Sequence, residues 1–180
     1  LTAVGEYPVS VARLWAAWAD PRQIERFWGP PAWPATFTRH DMTEGGRSEY
    51  RMCGPDGTTS RGYWRFVKVH APHGFEVLDG FANPDGSDNT DFPETRMQMR
   101  FEATATGSRF TATSTFASVE AMEKLLAMGM QEGLSAALGQ MLIEKLPDIV
   151  AAVAAPLQKI DRIVMINNGQ ADSSGVERVT

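Results

Sequence analysis

Alternating apolar and polar residues in the second half of the chain predict β-strands. Between residues 97 and 103, apolar side chains occupy every second position and polar side chains occupy the positions between them. Residues 109–116 repeat this alternation, and Thr106-Gly107-Ser108 between the two runs is typical of a hairpin turn. A period of two gives each strand one apolar and one polar face, so we predict an antiparallel sheet with water on one side only.

More strands are predicted upstream, separated by turn residues. Gly54-Pro55-Asp56-Gly57 is a strong turn, because proline presets φ and glycine accepts a positive φ. The stretch 83–93 is rich in Asp, Asn and Gly and predicts a mobile loop. The strands predicted before this loop are residues 35–42, 47–53, 62–69 and 75–81.

Helical periodicity is found at both ends of this strand region. Apolar residues between Val11 and Trp18 recur at helical spacing, and Asp20-Pro21 begins a second short helix. At Ser118, a suitable N-cap, the period becomes helical again, and no proline follows until Pro147. A helix of about 25 residues would measure roughly 38 Å, long enough to cross the whole sheet. Consecutive strands with segregated helices indicate an α+β fold in which this helix covers the apolar face.

Small residues on the predicted long helix indicate a pocket against the sheet. Glycine costs about 1 kcal/mol relative to alanine in a helix interior, so Gly129 and Gly133 must serve some purpose there. They either leave a void or allow the sheet to approach closely. Methionine and tryptophan side chains suit the wall of a pocket and the core equally well. Our candidate ligand-pocket residues are Trp28, Trp33, Met52, Trp64, Met97, Met99, Phe101, Phe116, Leu125, Gly129, Glu132 and Gly133.

Composition excludes several classes of partner. The chain has 180 residues, 43% apolar and 22% charged, with a net charge of −5 and no basic stripe, so nucleic acid is not expected as a partner. Cys53 is the single cysteine, which rules out an internal disulfide and fits a cytoplasmic location. The longest aliphatic run, residues 149–155, is far shorter than the roughly 20 residues of a membrane span. No signal peptide is visible.

Catalytic motifs are not found in the sequence. It has no G-x-S-x-G, H-E-x-x-H or G-x-x-x-x-G-K segment. His70 and His73 flank a turn and would need a further ligand to hold a metal, so we predict no metal site and no cofactor. An enzyme would need paired titratable groups in the pocket, for which His40, Asp41 and Glu132 are the candidates.

Five motifs carry a resemblance to a known family. They are LWAAWADP at residues 14–21, FWGPP at 27–31, GGR at 45–47, RMCGPDG at 51–57 and MGMQEGL at 128–134. Through them, residues 3–140 resemble the AHSA-like branch of the SRPBCC (START-like) superfamily, named after heat-shock-protein ATPase activators. The resemblance implies the helix-grip fold, a curved antiparallel sheet around a long C-terminal helix, with a cavity between them.

The resemblance leaves three functions open, because superfamily members range from ligand carriers to cyclases and chaperone activators. The first is binding of a small apolar molecule in the cavity, in the context of a stress response. The second is a protein-interaction or chaperone-activator module, which would show an exposed apolar patch. The third is a cyclase- or hydrolase-type enzyme.

The last 40 residues predict an appendage to the 1–140 domain. Residues 141–180 resemble the C-terminal assembly segment of flotillin-like proteins, a short helix followed by a strand and a flexible end. A natural fusion, a recombination product or an engineered joint near Gln140 would each explain this change. A lone strand must join a sheet edge, in its own chain or in another. The resemblance favours another chain, so we predict a homo-oligomer held partly by this tail, without membrane attachment.

Overall fold

The computed structural model describes residues 1–143 and 163–164. An antiparallel sheet in the order β2-β3-β4-β5-β6-β7-β1-β8 forms the body of the protein. The α+β class predicted from the sequence is confirmed. The strands are β1 (Thr2–Tyr7), β2 (Ala35–His40), β3 (Arg47–Cys53), β4 (Thr59–His70), β5 (Gly74–Phe81), β6 (Thr95–Thr104), β7 (Gly107–Thr115) and β8 (Ile163–Val164).

Two N-terminal helices, α1 (Val11–Ala19) and α2 (Pro21–Ile24), pack against one face of this sheet. The Ser10 and Asp20 side chains cap them by accepting hydrogen bonds from the backbone N–H groups of Arg13 and Arg22. The core is strongly aromatic. The indole of Trp18 on α1 is 2% exposed and stacks on the ring of Phe110 with a centroid distance of 5.1 Å.

The predicted long helix is two helices, α3 (Val119–Ala127) and α4 (Met130–Ile143). Gly129 separates them with a φ of +88°, a left-handed conformation that glycine adopts without steric cost. Its N–H donates to the Leu126 carbonyl and its own carbonyl accepts from Gly133, so the break is hydrogen-bonded on both sides. The prediction of one continuous helix was wrong, because Gly129 ends α3 rather than filling a helix interior.

Strand β2 is an edge strand whose open side is covered by α2 and the residue after it. The Glu25 carboxylate accepts a hydrogen bond of 2.7 Å from the Phe37 N–H, and Arg22 donates one of 3.0 Å to the Phe37 carbonyl. Arg22 and Glu25 also form an ion pair with each other at 2.8 Å. Both backbone polar groups of Phe37 are therefore satisfied without a further strand.

The opposite edge of the sheet is β8, a strand that belongs to the predicted tail. Strand β8 pairs antiparallel with β1 of the same chain, with Val164 opposite Thr2 and Ile163 opposite Ala3. Apart from residues 141–143 and β8, the predicted tail lies outside the described residues. Among the helices that the structure describes, none combines the length and the apolar composition that crossing a bilayer requires.

Candidate functional site

A cavity of about 430 Å³ lies between the sheet and the junction of α3 with α4. Strands β3 to β6 form its floor, and the segment that follows α2 forms one wall. Its lining residues are Trp28, Gly29, Pro30, Trp33, Tyr50, Met52, Ser60, Arg61, Gly62, Asp79, Phe81, Pro93, Thr95, Met97, Leu125, Met128, Gly129, Met130, Gly133 and Leu134. The wall is mostly apolar, as is typical of sites for small molecules.

Seven of the sequence-predicted pocket residues meet at this cavity. They are Trp28, Trp33, Met52, Met97, Leu125, Gly129 and Gly133. Both helix glycines contribute, although Gly129 does so at the helix break. Gly133 faces Pro30, whose Cγ would lie 3.6 Å from a Cβ atom at the glycine. A larger side chain at Gly133 would therefore extend along the cavity wall.

Four other predicted pocket residues lie elsewhere. Trp64, Met99 and Phe101 are at most 1% exposed and belong to the core around α1, and Phe116 is not among the residues of the cavity wall. The apolar strand face extends beyond the cavity, and α1 covers the part that these core residues occupy. The side chain of Glu132 is outside the described part of the structure.

The polar end of the cavity is formed by Asp79 on β5 and Tyr50 on β3. The Tyr50 hydroxyl donates a hydrogen bond of 3.2 Å to Asp79 Oδ1, and the Trp64 indole N–H donates one of 2.9 Å to the same oxygen. Sequence reasoning missed Asp79, although a signal was present. Phe75, Val77, Asp79 and Phe81 alternate along one strand, which places the aspartate on the apolar face.

Electrostatics at this end of the cavity favour the protonated forms of both groups. Burial raises the pKa of Asp79 to about 7, the nearby Glu94 charge adds to the rise, and the hydrogen bonds from Tyr50 and Trp64 oppose it. Burial, and then the charge of Asp79, raises the pKa of Tyr50 well above its ordinary value. The Asp79 carboxyl therefore titrates near neutral pH, while the tyrosine stays protonated.

The indole of Trp28 connects the cavity to the core. Its ring meets that of Trp64 edge-on at 4.8 Å and that of Tyr50 at 6.2 Å. Its buried nitrogen interacts with the Tyr50 hydroxyl, and this contact opposes the rise in the pKa of Tyr50. Trp28 therefore links the apolar wall of the cavity to its polar end.

The cavity reaches solvent at the end of α3. Met128 lines it and is 54% exposed, a high exposure for a large apolar side chain. Nearby, Phe81 of the cavity wall contacts Phe92 at a centroid distance of 5.0 Å, and the Lys124 ammonium of α3 lies 4.0 Å above the Phe92 ring. These contacts hold part of the predicted mobile loop 83–93 against α3.

His40 joins α1 to the sheet outside the cavity wall. Its Nε2 lies 3.0 Å from the Trp18 carbonyl and its Nδ1 lies 2.7 Å from the Ser48 hydroxyl. Because a carbonyl only accepts, Nε2 carries the proton and the Ser48 hydroxyl donates to Nδ1 in the neutral ring. Burial lowers the pKa of His40, which favours this neutral form. Asp41 binds the Thr43 hydroxyl and also lies outside the cavity wall.

Metal binding receives no support from the geometry of residues 1–143 and 163–164. Within those ranges, no three His, Cys, Asp or Glu side chains are grouped as metal ligands. His70 and His73 are exposed at the turn between β4 and β5. Among the described carboxyl and imidazole groups, the carboxyl of Asp79 lines the cavity.

Comparison with known proteins places this geometry in context. Residues 8–144 match the model of the family described as Activator of Hsp90 ATPase homolog 1-like protein. No curated protein sequence is significantly similar to the chain. The crystal structure of protein Ms6760 from Mycobacterium smegmatis is 45% identical, with a TM-score of 0.72, and the match covers 78% of this chain and 86% of that one.

Two further structures extend the comparison. The solution structure of a protein from Arthrobacter aurescens is also 45% identical, with a TM-score of 0.74 over 78% of this chain and 81% of that one. The AHSA1 protein from Silicibacter pomeroyi is 19% identical, with a TM-score of 0.68 over 82% of this chain and 98% of that one, which shows a shared fold. Together these matches confirm the predicted helix-grip fold for the body of the chain.

Proposed function

This chain belongs to the Activator of Hsp90 ATPase homolog 1-like family, and we propose that it binds a small, largely apolar molecule in the cavity between sheet and helices. One observation carries the proposal: the cavity measures about 430 Å³, and its mostly apolar wall has few polar groups, among them the hydrogen-bonded pair Asp79 and Tyr50. Cavities of about 300–1,000 Å³ with an apolar wall and few polar groups are typical of small-molecule sites.

The glycines around the cavity support this proposal. Gly62 leaves room for the Tyr50 ring, and Gly133 leaves room beside Pro30. Gly129 breaks the helix and lets Met128 and Met130 flank the opening. A protein that needed only a filled core would gain stability from larger side chains at Gly133. The space is therefore consistent with a ligand that occupies it.

Native mass spectrometry of the purified protein tests the proposal directly. We expect an additional mass from a co-purified small molecule, or saturable uptake of the neutral probe N-phenyl-1-naphthylamine with a fluorescence increase. Neither a co-purified molecule nor probe uptake by the folded protein would contradict the proposal. The family's relation to activators of the Hsp90 ATPase suggests a cytoplasmic stress response as the setting for this binding.

Asp79 favours an enzyme of the cyclase or hydrolase kind as a second candidate. A carboxyl group with a pKa of about 7 at the end of an apolar cavity is suited to general acid–base catalysis. Asp79 replaces His40 and Asp41 as the candidate catalytic residue, because those two residues lie outside the cavity wall. Recovery of a chemically altered probe after incubation would support this candidate, and quantitative recovery of the unaltered probe would support simple binding.

A protein-interaction module is the third candidate. Met128 and Val119 are 54% and 53% exposed on or next to α3, and both are large apolar side chains.

For the tail, β1 pairs with β8 of its own chain, and the β1 edge of a second copy could pair with β8 in the same way. Light scattering decides between these arrangements. A homo-oligomer that dissociates when residues 147–180 are deleted would support assembly through the tail, and an intact chain that is already monomeric would contradict it.

A further inference from the structure

The Asp79 carboxyl has an unused side within the cavity. Its Oδ1 atom accepts the hydrogen bonds from Tyr50 and Trp64, whereas no donor among the described residues reaches Oδ2. The aspartate lines the cavity wall between its cross-strand neighbours Trp64 and Thr95. A molecule in the cavity can therefore reach this oxygen directly.

No positive charge balances Asp79 among the described side chains. None of their ion pairs includes it, and the charge that shifts its pKa is the negative charge of Glu94. Arg61 on β4 also lines the cavity, but this residue is exposed to solvent. An ionised carboxyl in an apolar cavity is costly unless a cation pairs with it. The protein supplies the two hydrogen-bond donors that stabilise the carboxylate, but no described side chain supplies a cation to pair with it.

Aromatic rings line the same cavity as this carboxyl. Trp28, Trp33 and Tyr50 all line the cavity, and the negative face of an aromatic ring attracts a cation. An anionic ligand would be repelled by Asp79. A purely apolar ligand would leave Oδ2 and the aromatic faces unmatched. A ligand with a protonated amine satisfies both features at once.

Building on the proposed binding function, we infer that the ligand is an amphiphilic amine, whose ammonium group binds the Asp79 carboxylate while its apolar part fills the cavity. The ammonium donates a hydrogen bond to Oδ2, and the Tyr50 and Trp64 donors on Oδ1 hold the carboxylate in place. The apolar part then contacts Met52, Met97 and Leu125 and extends toward Gly133.

Three naphthalene probes of similar shape test the inference by calorimetry at pH 8: 2-(1-naphthyl)ethylamine, 2-(1-naphthyl)ethanol and 1-naphthylacetate. We expect the amine to bind about tenfold more tightly than the alcohol, since hydrogen bonds to charged groups are stronger than neutral ones. The acetate should bind most weakly. In Asp79→Asn the ratio of amine to alcohol affinity should fall to near one.

The pH dependence of the unmodified protein gives a test that needs no variant. The groups that act on the Asp79 carboxyl are Tyr50 and Trp64, which donate hydrogen bonds to it, and the negatively charged Glu94, while Arg61 lines the same cavity from β4. Burial and these groups together place the pKa of Asp79 at about 7. Amine affinity should therefore rise severalfold between pH 6 and pH 8, as the Asp79 carboxyl loses its proton. Alcohol affinity should not rise over the same range.

The outcomes separate the inference from the function on which it rests. If the alcohol binds as tightly as the amine, or if the amine preference persists in Asp79→Asn, the inference falls and the binding function stands. If neither probe binds to the folded protein, both fall. Should Asp79→Asn fail to fold, Tyr50→Phe removes one donor from the carboxylate and should reduce the amine preference by about threefold.

Discussion

Gly62 lies so close to the ring of Tyr50 that a Cβ atom at the glycine would be 2.5 Å from the tyrosine hydroxyl. The two residues are cross-strand partners on β3 and β4. The hydroxyl in turn donates to Asp79. The absence of a side chain on one strand therefore sets the position of the hydroxyl, and through it the polar end of the cavity.

We expect Gly62→Ala to displace the Tyr50 hydroxyl from Asp79 and to destabilise the protein by about 1–3 kcal/mol, as overpacking commonly does. Urea unfolding gives the free energy, and near-ultraviolet circular dichroism gives the change in aromatic packing. Gly139→Ala on α4 is the control, because a Cβ there meets nothing within 4 Å. Equal stability of both variants would contradict the close contact.

Gly133→Leu should fill the cavity from the helix side. The new side chain would begin 3.6 Å from Pro30 Cγ and extend along the wall. We expect affinity for N-phenyl-1-naphthylamine to fall at least about tenfold, with stability changed by about 1–3 kcal/mol. Gly139→Leu places the same residue in the same helix over open space and should leave probe binding intact. Unchanged binding in Gly133→Leu would mean that the probe occupies another site.

The Asp79 carboxyl should make the folded protein less stable as the pH rises. Its pKa is about 7 in the folded chain against an ordinary value of 3.8. Between these values the folded chain keeps a proton that the unfolded chain has released, so the free energy of unfolding falls as the pH rises from about 4 to 7. Asp79→Asn stays neutral and removes this dependence.

We expect Asp79→Asn to be more stable than the unmodified protein by about 1–3 kcal/mol at pH 8, and similar to it at pH 4. Because the carboxyl faces the cavity, the difference is smaller than the full linkage value. Urea unfolding at several pH values measures the difference. Parallel stability profiles for the two proteins would show that the carboxyl titrates at its ordinary pH.

Glu25→Ala should expose the β2 edge. It removes the acceptor of the Phe37 N–H and leaves Arg22 without its ion-pair partner. We expect a loss of about 1–2 kcal/mol in the free energy of unfolding and self-association at high concentration. Light scattering detects the association. Glu123→Ala, at an exposed glutamate of α3, is the matched control and should stay unassociated. Identical behaviour of the two variants would show that the Glu25 contact does not protect the β2 edge from self-association.

Sequence reasoning was strongest where one local pattern decides the structure. Alternation predicted the β6–β7 hairpin, although its turn is Ala105-Thr106 and the predicted turn residues Gly107 and Ser108 already belong to β7. The predicted caps Asp20 and Ser118 do accept hydrogen bonds from the first turns of their helices. The end of α3 was missed, because a glycine inside a helical pattern can occupy either a helix interior or a left-handed C′ position. The φ of +88° at Gly129 shows that it occupies the left-handed position.

The site itself was only partly accessible to sequence reasoning. Met97 and Met99 occupy the same strand face and both belong to the core, yet Met97 also lines the cavity and Met99 does not. Which residues of the strand face line the cavity depends on where the helices lie, and the periodicity of the strand does not show this. Asp79 was accessible, because its alternation with Phe75 and Val77 places a carboxyl among apolar side chains. A buried polar residue on an apolar face is the stronger indication of function.

The Trp28 indole gives the cavity its own optical reporter. Its ring belongs to the cavity wall and lies 4.8 Å from Trp64, which is 6.2 Å from Trp18. Three indoles at such separations exchange excitation energy, so emission from any of them depends on the surroundings of the one at the wall. We therefore expect a molecule that enters the cavity to change the intrinsic fluorescence of an unlabelled sample.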